Sequence, residues 1–230
     1  AKDYKGIFRI GVAISNKPQG PYTAMKDPIA HSFSIDPAVF KDDEGSYYMY
    51  FGGIWGGQLQ RWRTGIFNSN QPDSPTAFLP KDNEPALLPY VAKMSDDLLE
   101  FAEKPKKVMI VDENGNLLLA GDNDRRFFEA AWLHKYKGKY YFSYSTGDTH
   151  FICYAIGETP YGPFTYKGRI LNPVVGWTSH HSICEFKGKW YLFYHDSSLS
   201  KGVTHLRSVK IAEIKYNEDG TIQTLYTYKN

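Results

Sequence analysis

Cysteine is nearly absent: the 230 residues include only Cys153 and Cys184. Two cysteines exclude a disulfide framework and a four-thiolate zinc site. Both lie in apolar, strand-like runs and are expected as buried free thiols. An excess of one charge is also missing. The 27 Lys and Arg residues against 25 Asp and Glu leave a formal net charge of +2. That gives no basic footprint for nucleic acid or an anionic membrane, so neither partner is expected. No apolar run approaches the ~18 residues that span a bilayer. What the chain has in excess is aromatic residues: 18 Tyr, 14 Phe and 5 Trp make 16% of it. That excess favours an all-β fold. It also suits a sugar-binding surface, because pyranose faces stack on aromatic rings.

Internal repeats are the strongest organisational signal. Gly45-Ser-Tyr-Tyr-Met-Tyr-Phe, Gly138-Lys-Tyr-Tyr-Phe-Ser-Tyr and Gly188-Lys-Trp-Tyr-Leu-Phe-Tyr share one pattern, each preceded by a short apolar strand and a polar turn. The pattern is a β-hairpin written three times. A second repeat relates VAISNKPQGPYT at 12–23 to YAIGETPYGPFT at 154–165, at a constant offset of 142 residues. Four antiparallel strands per unit at irregular spacing predict β-propeller blades. Complete blades are expected at 29–101, 105–166 and 170–228, with a partial blade at 1–25. The Gly-, Pro- and Asn-rich stretch 54–90 reads as loop excursions over one face. Residues 1–230 then form one incomplete propeller domain of about three and a half blades. Such an array has open edges, so a preceding segment, a separate N-terminal fragment or an oligomer is expected to complete the ring.

The repeats also align three polar residues. Asp36 lies nine residues before Gly45, Glu129 nine before Gly138, and His180 eight before Gly188, where the turn is one residue shorter. The first strand of a propeller blade lines the axis. An acid, an acid and an imidazole should therefore converge at its mouth, where apolar residues would stand unless they served something. Taken singly, each has a plainer reading: a turn residue before Pro37, a rim carboxylate, a core histidine. His181 is an alternative to its neighbour. Asp42-Asp43-Glu44-Gly45 reads as a hairpin turn and lacks calcium-loop spacing. Two carboxylates in one pocket suit glycoside hydrolysis, in which one protonates the leaving oxygen and, in an inverting enzyme, the other activates water across roughly 6.5–9.5 Å.

The segments SFSIDPAVFKDDEGSYYMYFGG, RRFFEAAWLHKYKGKYYFSYS and TSHHSICEFKGKWYLFYHD, with the tail LRSVKIAEIKYNEDGTI, resemble glycoside hydrolase family 43 over essentially the whole chain. The resemblance implies a five-bladed propeller that removes terminal β-xylosyl or α-L-arabinofuranosyl units from xylan-derived oligosaccharides with inversion. It implies Glu129 as general acid, in Glu-Ala-Ala where many relatives have Glu-Gly-Pro. Asp36 would tune and orient that acid. His180 would stand near an axial calcium or sodium ion held largely through waters. Arg207 would reach the site from the last blade, and Trp55 would either face the sugar or anchor its loop. No residue here matches the family's general base. Family context also implies a secreted or periplasmic setting. Two other readings stay open: a non-catalytic carbohydrate-binding propeller fragment, and a protein-interaction propeller whose aromatics are all core.

Overall fold

The structure is a computed structural model that describes residues 1–70, 72, 74–177 and 180–226. Among the described residues its strands form four sheets. β1 (Ala13–Ile14) and β2 (Thr23–Ala24) make a two-stranded ribbon. The second sheet runs β3 (Ala38–Lys41), β4 (Tyr47–Phe51), β5 (Tyr90–Lys93), β6 (Lys106–Lys107) in chain order. The third contains β7 (Ile110–Val111), β8 (Glu129–Tyr136), β9 (Lys139–Ser145), β10 (Ile152–Gly157) and β11 (Phe164–Leu171), in the order β7-β11-β10-β9-β8. The fourth is β12 (His181–Phe186), β13 (Lys189–Asp196), β14 (Ser208–Ile214).

The three repeated hairpins are β3–β4, β8–β9 and β12–β13. Their glycines, Gly45, Gly138 and Gly188, all have φ between +76° and +87°. That left-handed geometry is open to glycine at no steric cost, which is why each repeat begins with one.

Strand allocation differs from four antiparallel strands per unit. β6 joins the second sheet five residues beyond the expected end of its blade. β7 joins the third sheet as a parallel fifth strand against β11. The fourth sheet has three strands among the described residues. The tail 215–226 does not extend it: Leu225 instead makes a parallel bridge to Leu171, at the end of β11. Residues 227–228, the end of the last expected blade, lie outside the described residues.

The core has two parts. The larger fills the space between the second and third sheets, with Tyr50, Phe51, Phe142 and Tyr144 fully covered. The smaller lies between the third and fourth sheets around Tyr141, Ile183, Leu192 and Ile214. β9 shows the consequence. Tyr140, Phe142 and Tyr144 face one core part and Tyr141 the other, so the strand is buried almost throughout instead of alternating. The outer face of the fourth sheet is uncovered, and Val209 and Ile211 remain 76% and 60% exposed. Cys184 lies on this sheet and is exposed, contrary to the sequence-based expectation; Cys153 is buried, which pushes its thiol pKa up to about 12.

Candidate active site

Asp36 sits two residues before β3, Glu129 is the first residue of β8, and His180 immediately precedes β12. The three first strands start at one end of the molecule, and their leading residues meet there. One ligand-capable atom from each of Asp36, Glu129 and His180 lies within 4.8 Å of the others. His180 Nε2 is 3.2 Å from Asp36 Oδ2, and the Ala130 backbone N–H donates to the same oxygen at 3.3 Å. The Asp36 side chain is 15% accessible and that of His180 is 47% accessible. The hydrogen bond to Asp36 raises the His180 pKa above its ordinary value. Burial opposes the rise, the Asp36 and Glu129 charges add to it, and Arg207 opposes it.

The backbone bends sharply to achieve this. Ser34, Asp36, Trp55 and Ala130 all adopt left-handed conformations, with φ of 64°, 59°, 52° and 60°. Asp36 does so although it precedes Pro37, which ordinarily holds the preceding residue extended. At Ala130 the β8–β9 register slips between Glu129 and Trp132, a bulge that redirects the start of the strand. Non-glycine residues held in this region store strain of order 1–3 kcal/mol each, and such strain clusters at functional sites.

A small-residue shelf supports the pair of carboxylates. A Cβ on Gly53 would lie 2.5 Å from Ile35 Cγ1 and 3.5 Å from Glu129 Cβ, and one on Gly57 would lie 2.8 Å from Ile35. Ile35, next to Asp36, therefore rests on glycines of the loop that also underlies Glu129. Buried Ser34 clamps that loop: its Oγ accepts the Gly53 N–H at 2.9 Å and donates to the Gly57 carbonyl at 2.7 Å.

Trp55 stands in the 3-10 turn Trp55–Gly57. Its ring meets Phe128 edge-on at 5.0 Å and Trp177 at 6.1 Å, and His150 packs on Trp177 at 4.7 Å. Sequence reading missed Phe128, Trp177, His150 and Ser34. Phe128 adjoins Glu129 and could have been found by position; nothing in the sequence separates the others from core or loop residues. Arg207 is exposed and donates from Nε to the Thr204 carbonyl at 3.0 Å. Its charge is felt at His180 and His195, which places it at this end of the molecule without a described contact to either carboxylate. His181 is not part of the cluster. Its Nε2 pairs with Ser143 Oγ at 2.6 Å, and burial lowers its pKa to about 3.

The cluster also fits a hard cation. Calcium holds oxygen-rich shells at 2.3–2.6 Å, so two ligands on one ion stand at most about 5 Å apart; the 4.8 Å span meets that limit.

The two carboxylates are too close to serve as an inverting acid–base pair. Such pairs need room for a water, roughly 6.5–9.5 Å, and even retaining pairs stand about 5–5.5 Å apart. With Oδ2 tied to His180 and to Ala130, Asp36 can act electrostatically on Glu129 and hold its surroundings in place.

Comparison with known proteins places the chain in a family. The family described as glycosyl hydrolases family 43 matches residues 1–222. A xylosidase/arabinosidase from Bacteroides ovatus is 59% identical over 224 residues, covering 97% of this chain and 67% of the relative. Xylosidase/arabinosidase 43A from Humicola insolens is 61% identical, with coverage of 97% and 69%. The crystal structure of a family 43 β-xylosidase/α-arabinofuranosidase from a compost microbial metagenome, with xylotriose and in a calcium-free form, superposes with a TM-score of 0.94 at 63% identity. It is matched over 100% of this chain and 69% of that one. The chain thus spans about two thirds of the length of these relatives, and its partial propeller of strained first-strand termini belongs to glycosyl hydrolases family 43.

Proposed function

We propose that this chain carries the acid half of an inverting exo-glycosidase that removes terminal β-xylosyl or α-L-arabinofuranosyl units from xylan-derived oligosaccharides. The single observation that carries the reading is the convergence of Asp36, Glu129 and His180 within 4.8 Å at the start of three equivalent strands. Relatives named as xylosidase/arabinosidase and β-xylosidase supply the substrate class.

Glu129 is the general acid: it protonates the glycosidic oxygen as the bond breaks. Asp36, close beside it, is the residue that tunes and orients that acid. His180 and the Ala130 N–H fix the Asp36 carboxylate, and Trp55 offers its ring to the sugar. Arg207 approaches from the last sheet and favours anionic or hydroxyl-rich groups at the mouth. His180 would hold an axial calcium or sodium ion, which when bound supplies a fixed positive charge beside the carboxylates. The water-activating base is a further carboxylate across the pocket. Asp36 does not fill that role; a preceding segment, a separate N-terminal fragment or another copy would supply it.

The missing base match favours a second reading, a carbohydrate-binding propeller that holds sugar without turnover. One experiment separates the two. The purified protein is assayed on aryl β-xyloside and aryl α-L-arabinofuranoside, with sugar binding followed by calorimetry. Turnover that Glu129→Gln abolishes while xylose still binds supports the hydrolase, and NMR of the first-formed anomer reports inversion. Binding without turnover, when the chain is assayed together with the part that supplies the base, supports the second reading, and turnover unchanged in Glu129→Gln removes the acid assignment.

A further inference from the structure

A cavity of about 500 Å³ shares no lining residue with the cluster of Asp36, Glu129 and His180. Its lining includes buried Phe33 and Tyr90, with half-buried Trp62 beside them. Phe33 stacks on Trp62 at 4.5 Å and meets Tyr90 edge-on at 4.8 Å, so the three rings form one continuous apolar wall. The basic side chains at the cavity are Arg9, His31 and Lys104, and no Asp or Glu is among the described residues that line it. In a chain whose 27 Lys and Arg nearly balance 25 Asp and Glu, that separation of charge is local.

The cations are placed and accessible. Arg9 donates from Nε to Asp3 Oδ2 at 3.1 Å and from Nη1 to the Ser32 carbonyl at 2.9 Å. Its side chain is 28% accessible, and its guanidinium lies 5.5 Å from the centre of the Trp62 ring. Lys104 is exposed and pairs with nothing among the described residues. Neighbouring Glu103 is engaged by Lys106 Nζ at 2.5 Å and Tyr161 OH at 2.6 Å instead. The segment carrying His31 is fixed at both ends. Ile29 N–H donates to the Ile10 carbonyl at 2.9 Å, and Ile10 N–H donates to Ser32 Oγ at 3.0 Å. Between them His31 adopts φ of 64°, a left-handed conformation that a non-glycine residue keeps only where its surroundings impose it.

Size, charge and polarity define the occupant. The volume falls within the roughly 300–1,000 Å³ of small-molecule sites. Basic side chains without a lining carboxylate favour an anion. Asp3, paired with Arg9, offsets one charge, so a single carboxylate balances the surplus better than a doubly charged phosphate. The ring wall calls for a flat apolar body. Ser32 Oγ already accepts the Ile10 N–H, which leaves one lining hydroxyl, that of Tyr90, for the several of a sugar.

We propose that this cavity binds an aromatic monocarboxylate, its ring against Phe33, Trp62 and Tyr90 and its carboxylate among Arg9, His31 and Lys104. The site is separate from the carboxylate cluster, and it stands or falls independently of the glycosidase reading.

The test is calorimetric titration of the 230-residue protein with cinnamate, with its neutral counterpart cinnamyl alcohol, and with glucuronate as a charged sugar. A hydrogen bond to a charged partner is worth roughly tenfold or more in affinity, so cinnamate should bind at least about tenfold tighter than the alcohol. Lys104→Glu reverses a charge that holds nothing else, and should weaken cinnamate by about tenfold or more. Ala30→Trp adds bulk from another exposed lining position and should abolish cinnamate binding. Saturating xylose should leave cinnamate affinity unchanged. Equal affinity for acid and alcohol, or cinnamate affinity unmoved in both variants, would overturn the site. Competition by xylose would place the acid at the carboxylate cluster and overturn the separate cavity. Glucuronate binding as tightly as cinnamate would overturn the aromatic assignment.

Discussion

Asp36 Oδ2 is shared by two donors from different strands: His180 Nε2 at 3.2 Å and the Ala130 N–H at 3.3 Å. One oxygen thereby ties together the starts of the second, third and fourth sheets. The His180 pKa is raised chiefly by this hydrogen bond. A histidine whose folded pKa exceeds its unfolded value of about 6.5 favours the folded state most fully below that value. The contribution is lost as pH rises through the raised pKa. In chelator-treated protein, NMR titration of the His180 ring should give a midpoint above 6.5. Asp36→Asn should bring it down. A midpoint that does not move in Asp36→Asn would show that the pair does not form in solution.

Gly53 supports the carboxylates through the absence of a side chain. In Gly53→Ala the new methyl would sit 2.5–2.6 Å from Ile35 Cγ1 and Cδ1, so Ile35 must shift, and Asp36 is its neighbour. Overpacking of this kind costs about 1–3 kcal/mol. The expected result is a lower melting temperature together with weakened xylose binding, both read on the same preparation. Gly56→Ala is the control, because a Cβ there meets open space. Equal behaviour of the two variants would remove the shelf from the account of the site.

His134 predicts where the fold is sensitive to acid. It is 4% exposed, stacks on Tyr141 at 5.1 Å, and pairs its Nε2 with Tyr216 OH at 2.8 Å. Burial lowers its pKa to about 3. Below about pH 6.5 the unfolded chain takes up a proton that the folded chain refuses until about pH 3. Its stabilising contribution is therefore present above pH 6.5 and lost as pH falls through that window, by up to ~1.4 kcal/mol per pH unit. Denaturant melts between pH 7 and 4 should show a shallower slope in His134→Phe than in the wild type. Identical slopes would mean that His134 does not carry this effect.

The hairpins and the meeting of Asp36, Glu129 and His180 were legible because a repeat fixes register. Once Gly45, Gly138 and Gly188 align, everything a set distance before them aligns too. Strand allocation was not legible. Two-residue strands such as Lys106–Lys107 carry no period, and the parallel pairing of Ile110–Val111 with β11 is decided by packing. The same limit holds at Asp42. It is the hairpin-turn residue expected, accepting the Gly45 N–H on its carbonyl at 2.9 Å. Its carboxylate also accepts from Tyr140 OH at 2.8 Å and Lys135 Nζ at 3.2 Å, on the neighbouring sheet. No sequence pattern announces that latch, because the partners are 93 and 98 residues away. The packing of Trp177 against Trp55 and Phe128 was hidden for the opposite reason: a chain so rich in aromatics gives no contrast between a core ring and one beside the site.

Ala130 offers the most direct test of the strain at the site. The resemblance noted glycine after the acid in many relatives, where this chain has alanine. Here φ is 60° at Ala130, a conformation that costs an alanine about 1–2 kcal/mol and a glycine almost nothing. Glycine loses about 0.5–1 kcal/mol more conformational freedom on folding, so Ala130→Gly should stabilise by a net ~0.5–1 kcal/mol. For a chain of this size that is a rise of roughly 1–4 °C in melting temperature. The backbone N–H that donates to Asp36 is retained, so xylose affinity should hold. Ala131 is equally buried but has no left-handed φ. Ala131→Gly should therefore lower the melting temperature by a similar amount. If both glycine variants are destabilised, the bulge after Glu129 relaxes in solution, and the left-handed turn that follows Glu129 is not held there.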